Sequence, residues 1–196
     1  MREGQDTNCK SKSSAVIDAI HVSHARFDLR AAAPELIVEA RDFAAELIGG
    51  KIATVQTLAW VHERTGAALF LAREEGRLTG VWATVLLSEA GVRACHADDF
   101  DGLEPDRRHV AKKSEDPAGH YAWGIAGSTR ESAKRVVAAA DALYWSVLPH
   151  LPFFTRPTTP AGVRVVVERL GFGPVPGSQT GLVWMGPRSD RPSVAA

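Results

Sequence analysis

Apolar positions along the chain change period several times, and each change predicts an element. Leu36, Ile37, Ala40, Phe43, Ala44 and Leu47 recur at helical spacing between Pro34 and Ile48, with Glu35, Glu39, Arg41, Asp42 and Glu46 elsewhere, so a helix is expected that stops at Gly49-Gly50. Ile52 to Arg64 reads as a second helix with Leu58 and Val61 inward. Ala67–Ala72 and Leu78–Leu87 are apolar runs around Arg73-Glu74-Glu75-Gly76-Arg77, which predicts a hairpin with a charged tip. His120 to Ala126 is a strand of aromatic and small residues. After the turn and cap formers Gly127, Ser128 and Thr129, a helix follows with Ala133, Val136, Val137, Ala140, Leu143, Tyr144 and Val147 on one stripe. Leu151–Arg156 is a short strand, Thr158–Leu170 a helix closed by Gly171, and Thr180–Met185 a last strand. Less regular alternation over residues 21–29 predicts a first edge strand, and the polar run from His96 to Gly119 reads as a long connection, either a solvated insertion or a ligand-contacting loop.

Strict alternation along the 120–126 strand would place Tyr121, Trp123 and Ile125 on one face and His120, Ala122, Gly124 and Ala126 on the other. The small residues leave room for a slender chain against the backbone, and His120 is the candidate general base on their face. The helix that follows begins with free N–H groups and the positive end of its dipole, beside Arg130, Lys134 and Arg135, so its start is a candidate anion site behind an accessible loop. Tyr144 belongs by its spacing to the apolar stripe.

Composition narrows the field. The 196 residues, 45 % of them hydrophobic, suffice for one domain with a substantial core. Residues 1–14 read as a polar disordered leader, 15–187 as the domain and 188–196 as a disordered tail. With 23 basic and 23 acidic side chains the formal charge is zero, which gives no reason to expect a nucleic-acid partner. No stretch has the length and apolarity of a membrane span. Cys9 and Cys95 have no metal-ligand spacing and fit a reducing, cytoplasmic setting. His21 and His24 lack a third ligand at a recognisable spacing, so no metal site is expected, and His96-Ala97-Asp98-Asp99 reads as surface.

Two motifs carry a resemblance. Ile125-Ala126-Gly127-Ser128-Thr129-Arg130-Glu131-Ser132-Ala133-Lys134-Arg135 falls on a strand–loop–helix run of the form Val-x-Pro-x-x-Arg/Gln-x-x-Gly-x-Gly/Ala, and Val166-Val167-Glu168-Arg169-Leu170-Gly171-Phe172 falls on an aromatic-Tyr-Glu-Lys-Leu-Gly-Phe helix end. In these the chain from Ala67 to Met185 resembles the GCN5-related N-acetyltransferase (GNAT) superfamily. Ala133 and Arg135 stand where the loop's small residues are usual, and Val167 stands where a tyrosine commonly protonates the leaving thiolate.

The resemblance implies an α/β fold, a three-layer α/β/α arrangement around a mixed, mostly antiparallel sheet of about six or seven strands. It implies acetyl-CoA or another acyl-CoA as co-substrate, held by Ile125, Ala126, Gly127, Arg130, Glu131, Ser132, Ala133, Lys134 and Arg135, and acyl transfer to the amine of a small molecule or peptide. The alternatives are a non-catalytic acyl-CoA binder or a degenerate homologue that has lost its cofactor, which Val167 and the degenerate loop favour, and an acyltransferase using another acyl carrier.

Overall fold

The computed structural model describes residues 12–49 and 51–187. Helix α1, Lys12–Ala25, begins within the expected leader; residues 1–11, and the expected tail 188–196, lie outside the described residues. The edge strand expected over residues 21–29 is instead the end of α1 and a turn, and strand β1 is only Leu29–Ala31. The reason is that Ile17, Ile20, His24 and Phe27 meet the core at helical spacing, with Ile20 and His24 fully buried. His24 Nδ1 lies 2.9 Å from the Ile20 carbonyl and its ring stacks 4.1 Å from Phe70. Asp28, in the left-handed region at φ 56°, ends the turn.

A 3-10 turn at Pro34–Leu36 leads into α2, Ile37–Ile48, and α3, Val55–Thr65, follows. Thr54 caps α3 by accepting from the Thr57 N–H, and Gly66 closes it at φ 72°. The hairpin forms from β2, Leu69–Glu74, and β3, Arg77–Leu87, around Glu75 and Gly76, both at positive φ (51° and 79°), which matches the twist of a tight two-residue turn. A helix absent from the sequence expectation, α4 (Glu89–His96), follows, capped by Ser88. The connection beyond it is no solvated insertion: Phe100, Val110 and Ala111 are buried, and the Phe100 ring lies 4.9 Å from Tyr121.

Strand β4, Gly119–Gly127, runs into α5, Arg130–Ala142, which widens into a π-turn at Leu143–Val147. Then come β5 (Phe153–Thr155), α6 (Pro160–Val163) with a second π-turn at Arg164–Arg169, β6 (Gly173–Pro174) and β7 (Val183–Met185). Among the described residues the sheet has seven strands in the order β1-β2-β3-β4-β5-β7-β6, antiparallel throughout except for β4–β5. Helices α1 and α5 cover one face through Ile20, Val136, Ala139 and Leu143 against Phe70, Trp82 and Leu86. On the other face, α2 and α3 bring Ile37, Ala40, Leu58 and Val61 against Leu69, Leu71, Val81 and Val85. This is the three-layer mixed arrangement expected. No helix among the described residues is long and apolar enough to cross a membrane.

The simple alternation expected along β4 fails at one point. Ala83 pairs with Gly124 but Thr84 pairs with Ala122, so Trp123 is an extra residue, a β-bulge. Tyr121 and Trp123 pack toward the α2–α4 face, while Ile125, two positions on, joins the α5 face. Gly124 changes sides with it: a Cβ there would stand 3.1 Å from Ile48 of α2.

Candidate functional site

Strand β4 pairs with β5 only from His120 to Ala122, opposite Phe153 to Thr155. Beyond Thr155 the chain enters Arg156-Pro157, and proline, with no N–H to donate, cannot extend the ladder. Among the described residues, the edge of β4 from Trp123 to Gly127 is thereby left without a strand on that side. A cavity of about 380 Å³ fills the wedge, walled by this edge, by Ala133 and Val137 of α5, and by Thr155–Thr159 and the α6 segment.

Of the residues expected to hold a cofactor, the structure brings Ile125, Ala126, Gly127 and Ala133 together in the wall of this crevice. Gly127 permits the junction, since a Cβ there would stand 2.4 Å from the amide nitrogen of Ala133. Arg130, Glu131, Ser132, Lys134 and Arg135 do not line it. Helix α5 begins at Arg130, and Ser128 to Glu131 are exposed, so its start is accessible as expected. Ser132 is fully buried and completes a reciprocal cap: the Ser132 N–H donates to Thr129 Oγ1 and the Thr129 N–H to Ser132 Oγ, each at 3.0 Å. The Ser128 N–H donates to the Thr79 carbonyl at 2.9 Å. The amides of Ser128, Thr129 and Ser132 are thus engaged within the protein, and those of Arg130 and Glu131, which precede the helix's own ladder, remain for an anion. Arg135 pairs with Glu74 of β2 at 3.0 Å, and Lys134 stands 4.0 Å from Glu131.

His120 lies behind the wall and not in it. It is fully buried, its ring stacks 3.9 Å from Phe153, and among the described residues neither ring nitrogen has a hydrogen-bond partner. Desolvation holds its pKa down at about 3. A base must reach a substrate proton directly or through water, and the lining of the crevice does not include this imidazole. Val167, at the position of the usual tyrosine, is exposed and absent from the wall, whereas its neighbour Val166 is in it. The Tyr144 hydroxyl donates to the Gly186 carbonyl at 3.0 Å while its ring faces the crevice.

A second cavity, about 330 Å³, lies on the α2 side of the sheet and shares Ile48, Trp123, Gly124, Arg156 and Thr158 with the first. The two chambers therefore meet around the bulge. The long connection contributes Gly102 and Leu103, and Trp123 Nε1 donates to the Gly102 carbonyl, tying the bulge to that loop. Asp98, expected as surface, fastens the other side of the junction. It accepts from Ser178 Oγ (2.9 Å), the Gln179 N–H (2.7 Å), the Thr180 N–H (3.1 Å) and the Thr180 hydroxyl. That last bond leads the causes holding its pKa down at about 2. Sequence reasoning passed over Arg156 and Asp98; the available signal was a lone cation ending an apolar strand just before a proline.

No family model matches the chain, and no curated protein matches its sequence. Among solved structures it is similar to GphF, a GNAT-like decarboxylase in complex with isobutyryl-CoA, at 12 % identity over 70 % of each chain with a TM-score of 0.46. It is also similar to a Corynebacterium glutamicum structure titled histone acetyltransferase HPA2 and related acetyltransferase, at 17 % identity over 85 % of this chain and 98 % of that one, with a TM-score of 0.49. Such likeness concerns the fold alone. The mixed sheet, its single parallel pair among the described strands and the helices on both faces make a three-layer α/β/α fold.

Proposed function

We propose that the chain binds an acyl-CoA in the crevice beside β4 and transfers the acyl group to an amine that enters from the second chamber, in the cytoplasm. The observation that carries this reading is the unpaired β4 edge, Trp123 to Gly127, lying where the two chambers meet. The co-substrate brings an activated thioester. The strand edge offers N–H and C=O groups to a slender amide-containing chain, as an added strand would use them. An N–H of the same edge is a fixed dipole for polarising the acyl carbonyl in an apolar cavity. At the far end, the amides of Arg130 and Glu131 and the exposed side chains of Arg130 and Lys134 receive phosphate; Arg135 is engaged by Glu74. An amine in the second chamber, beside cations, loses its proton more readily than in water.

The second reading, an acyl-CoA binder without catalysis, is favoured by the sealed His120 and the outward Val167. Thermal-shift titration with free CoA, acetyl-CoA and longer acyl-CoAs tests both, because a ligand at about 100 times its dissociation constant adds about 2.7 kcal/mol to stability. Thiol release with added amines then separates them: binding without turnover supports the second reading, and no shift with any of the three ligands sinks both.

A further inference from the structure

We infer that Arg156 binds a carboxylate carried by the substrate where the two chambers join, so that the protein selects a carboxylate-bearing substrate over its neutral counterpart. The inference rests on the acyl-transfer reading for the word substrate, but the anion site itself rests on the geometry alone.

Arg156 lines both cavities, next to the bulged Trp123 and Gly124. Its guanidinium carries five N–H donors. One nitrogen donates to Thr180 Oγ1 at 2.8 Å, while Nε is buried with no hydrogen-bond partner among the described residues. The nearby acid does not complete it. Asp98 Oδ1 stands 4.0 Å away, too far to accept, and both Asp98 oxygens already take donors from Ser178, Gln179 and Thr180. Asp98 and Thr180 therefore orient the guanidinium and leave most of its fork unmet.

The second chamber repeats the signal. Arg41, which pairs with Asp42 at 3.1 Å, Lys51 and Arg156 line it, and among the described residues no Asp or Glu does. Asp101, on the neighbouring loop, is turned to the N–H groups of Leu103 and Glu104. The rest of the lining is mainly apolar, with Ile48, Leu58, Leu69 and Val81, so a charge-assisted bond to Arg156 is less screened than at the surface. A planar fork suits a planar carboxylate, which it can meet with two parallel bonds. That carboxylate can belong to the amine, as in an amino acid, or to the acyl group, as in a dicarboxylic thioester, and the two sources are separable.

The experiment compares matched pairs with the full-length protein. In one arm acetyl-CoA is offered with an α-amino acid or its primary amide; in the other a simple amine is offered with malonyl-CoA or butyryl-CoA. Thiol release is followed, and thermal shifts are recorded with the amino acid and its amide without any CoA. A preference of about tenfold or more in kcat/KM for the carboxylate member of one arm is expected, falling to within about threefold in Arg156→Gln and to an intermediate value in Arg156→Lys. Preference in the first arm places the carboxylate on the acceptor, and in the second on the acyl group. Turnover by the wild type with no preference in either arm overturns the inference and leaves acyl transfer standing, whatever the variants do. A preference that survives unchanged in Arg156→Gln also overturns it. If no CoA binds, yet the amino acid stabilises the wild type more than its amide does and Arg156→Gln removes that difference, the carboxylate site stands and acyl transfer falls.

Discussion

Replacing Gly127 by alanine probes the contact on which the crevice wall depends. The new Cβ would stand 2.4 Å from the amide nitrogen and 2.6 Å from the Cα of Ala133, both backbone atoms, whereas real Cβ contacts essentially never fall under 3.0 Å. The first turn of α5 must therefore retreat by at least about 0.6 Å, the difference between 3.0 and 2.4 Å. It cannot do so by rigid translation, because Val136, Ala139 and Leu143 of the same helix are fully buried in the core. Overpacking of this kind costs about 1–3 kcal/mol. Alanine also restricts the unfolded chain, which returns about 0.4–1 kcal/mol. The difference, about 0–2.6 kcal/mol and centred on ~1.3 kcal/mol, lowers Tm by roughly 3–5 °C at its centre in a domain of this size. Differential scanning calorimetry reads it directly, with Gly173→Ala as control, since a Cβ at Gly173 meets nothing within 4 Å. A Tm for Gly127→Ala no lower than that of Gly173→Ala would refute the account of how α5 is seated on β4.

Other expectations follow from single side chains. Burial depresses the folded-state pKa of His120 to about 3 from an unfolded value of about 6.5, so stability is complete above pH ~6.5 and is lost as pH falls toward about 3. His120→Phe, which keeps a ring on Phe153 and removes two unpartnered nitrogens, flattens the slope of urea midpoint against pH below about 6.5; part of the slope persists through His24, held down at about 4. An unchanged slope in the variant would show that His120 is hydrated. Asp98→Ala releases the 177–181 turn, and hydrogen exchange at the Gln179 and Thr180 amides accelerates; equal exchange in both proteins removes the clamp. In Arg135→Ala the loss of the partly exposed pair with Glu74 costs under about 1 kcal/mol, and a tenfold weakening of CoA binding would instead show that the guanidinium leaves Glu74 for phosphate. Val167→Tyr, outside the crevice wall, stays within about 0.5 kcal/mol of wild type in stability and does not alter thiol release; a faster rate would mean that the α6 segment turns inward.

Elements whose apolar period was unbroken were legible in the sequence: α2, the β2–β3 hairpin, β4 and α5 all appear where Pro34–Ile48, Ala67–Leu87 and His120–Val147 put them, give or take their ends. Residues 21–29 misled because a short segment with one apolar residue in two or three fits either period, and only packing against Phe70 and Trp82 selects the helix. Helix α4 is eight residues long and buries only Gly91, Ala94 and Cys95, too little pattern to stand out from the polar run that follows. At the site, the sequence order led to Ile125, Ala126, Gly127 and Ala133, which are neighbours in one strand–turn–helix. The bulge at Trp123 was not legible, since it is a property of pairing with Ala83 and Thr84 of β3, which the long connection containing α4 separates from β4 in sequence. Nor was Arg156, whose surroundings are assembled from Asp98, Trp123 and Thr180, residues far apart along the chain.

The order of strands also sets an order of assembly. β1 through β4 are joined by antiparallel pairings between successive strands, so that half of the sheet can zip up as it emerges from synthesis. The other half cannot, because β7 lies between β5 and β6, and β6 has no place in the sheet until Val183–Met185 has been added. β5 meanwhile holds on by three rungs to β4. A chain arrested before Val183 therefore exposes an edge of β5 bearing Phe153 and Phe154, and it is at this stage that capture by chaperones or by another nascent chain competes most directly with folding. Met185 of β7 lines the wedge that forms the candidate site, so this part of its wall is completed only once that strand has been added.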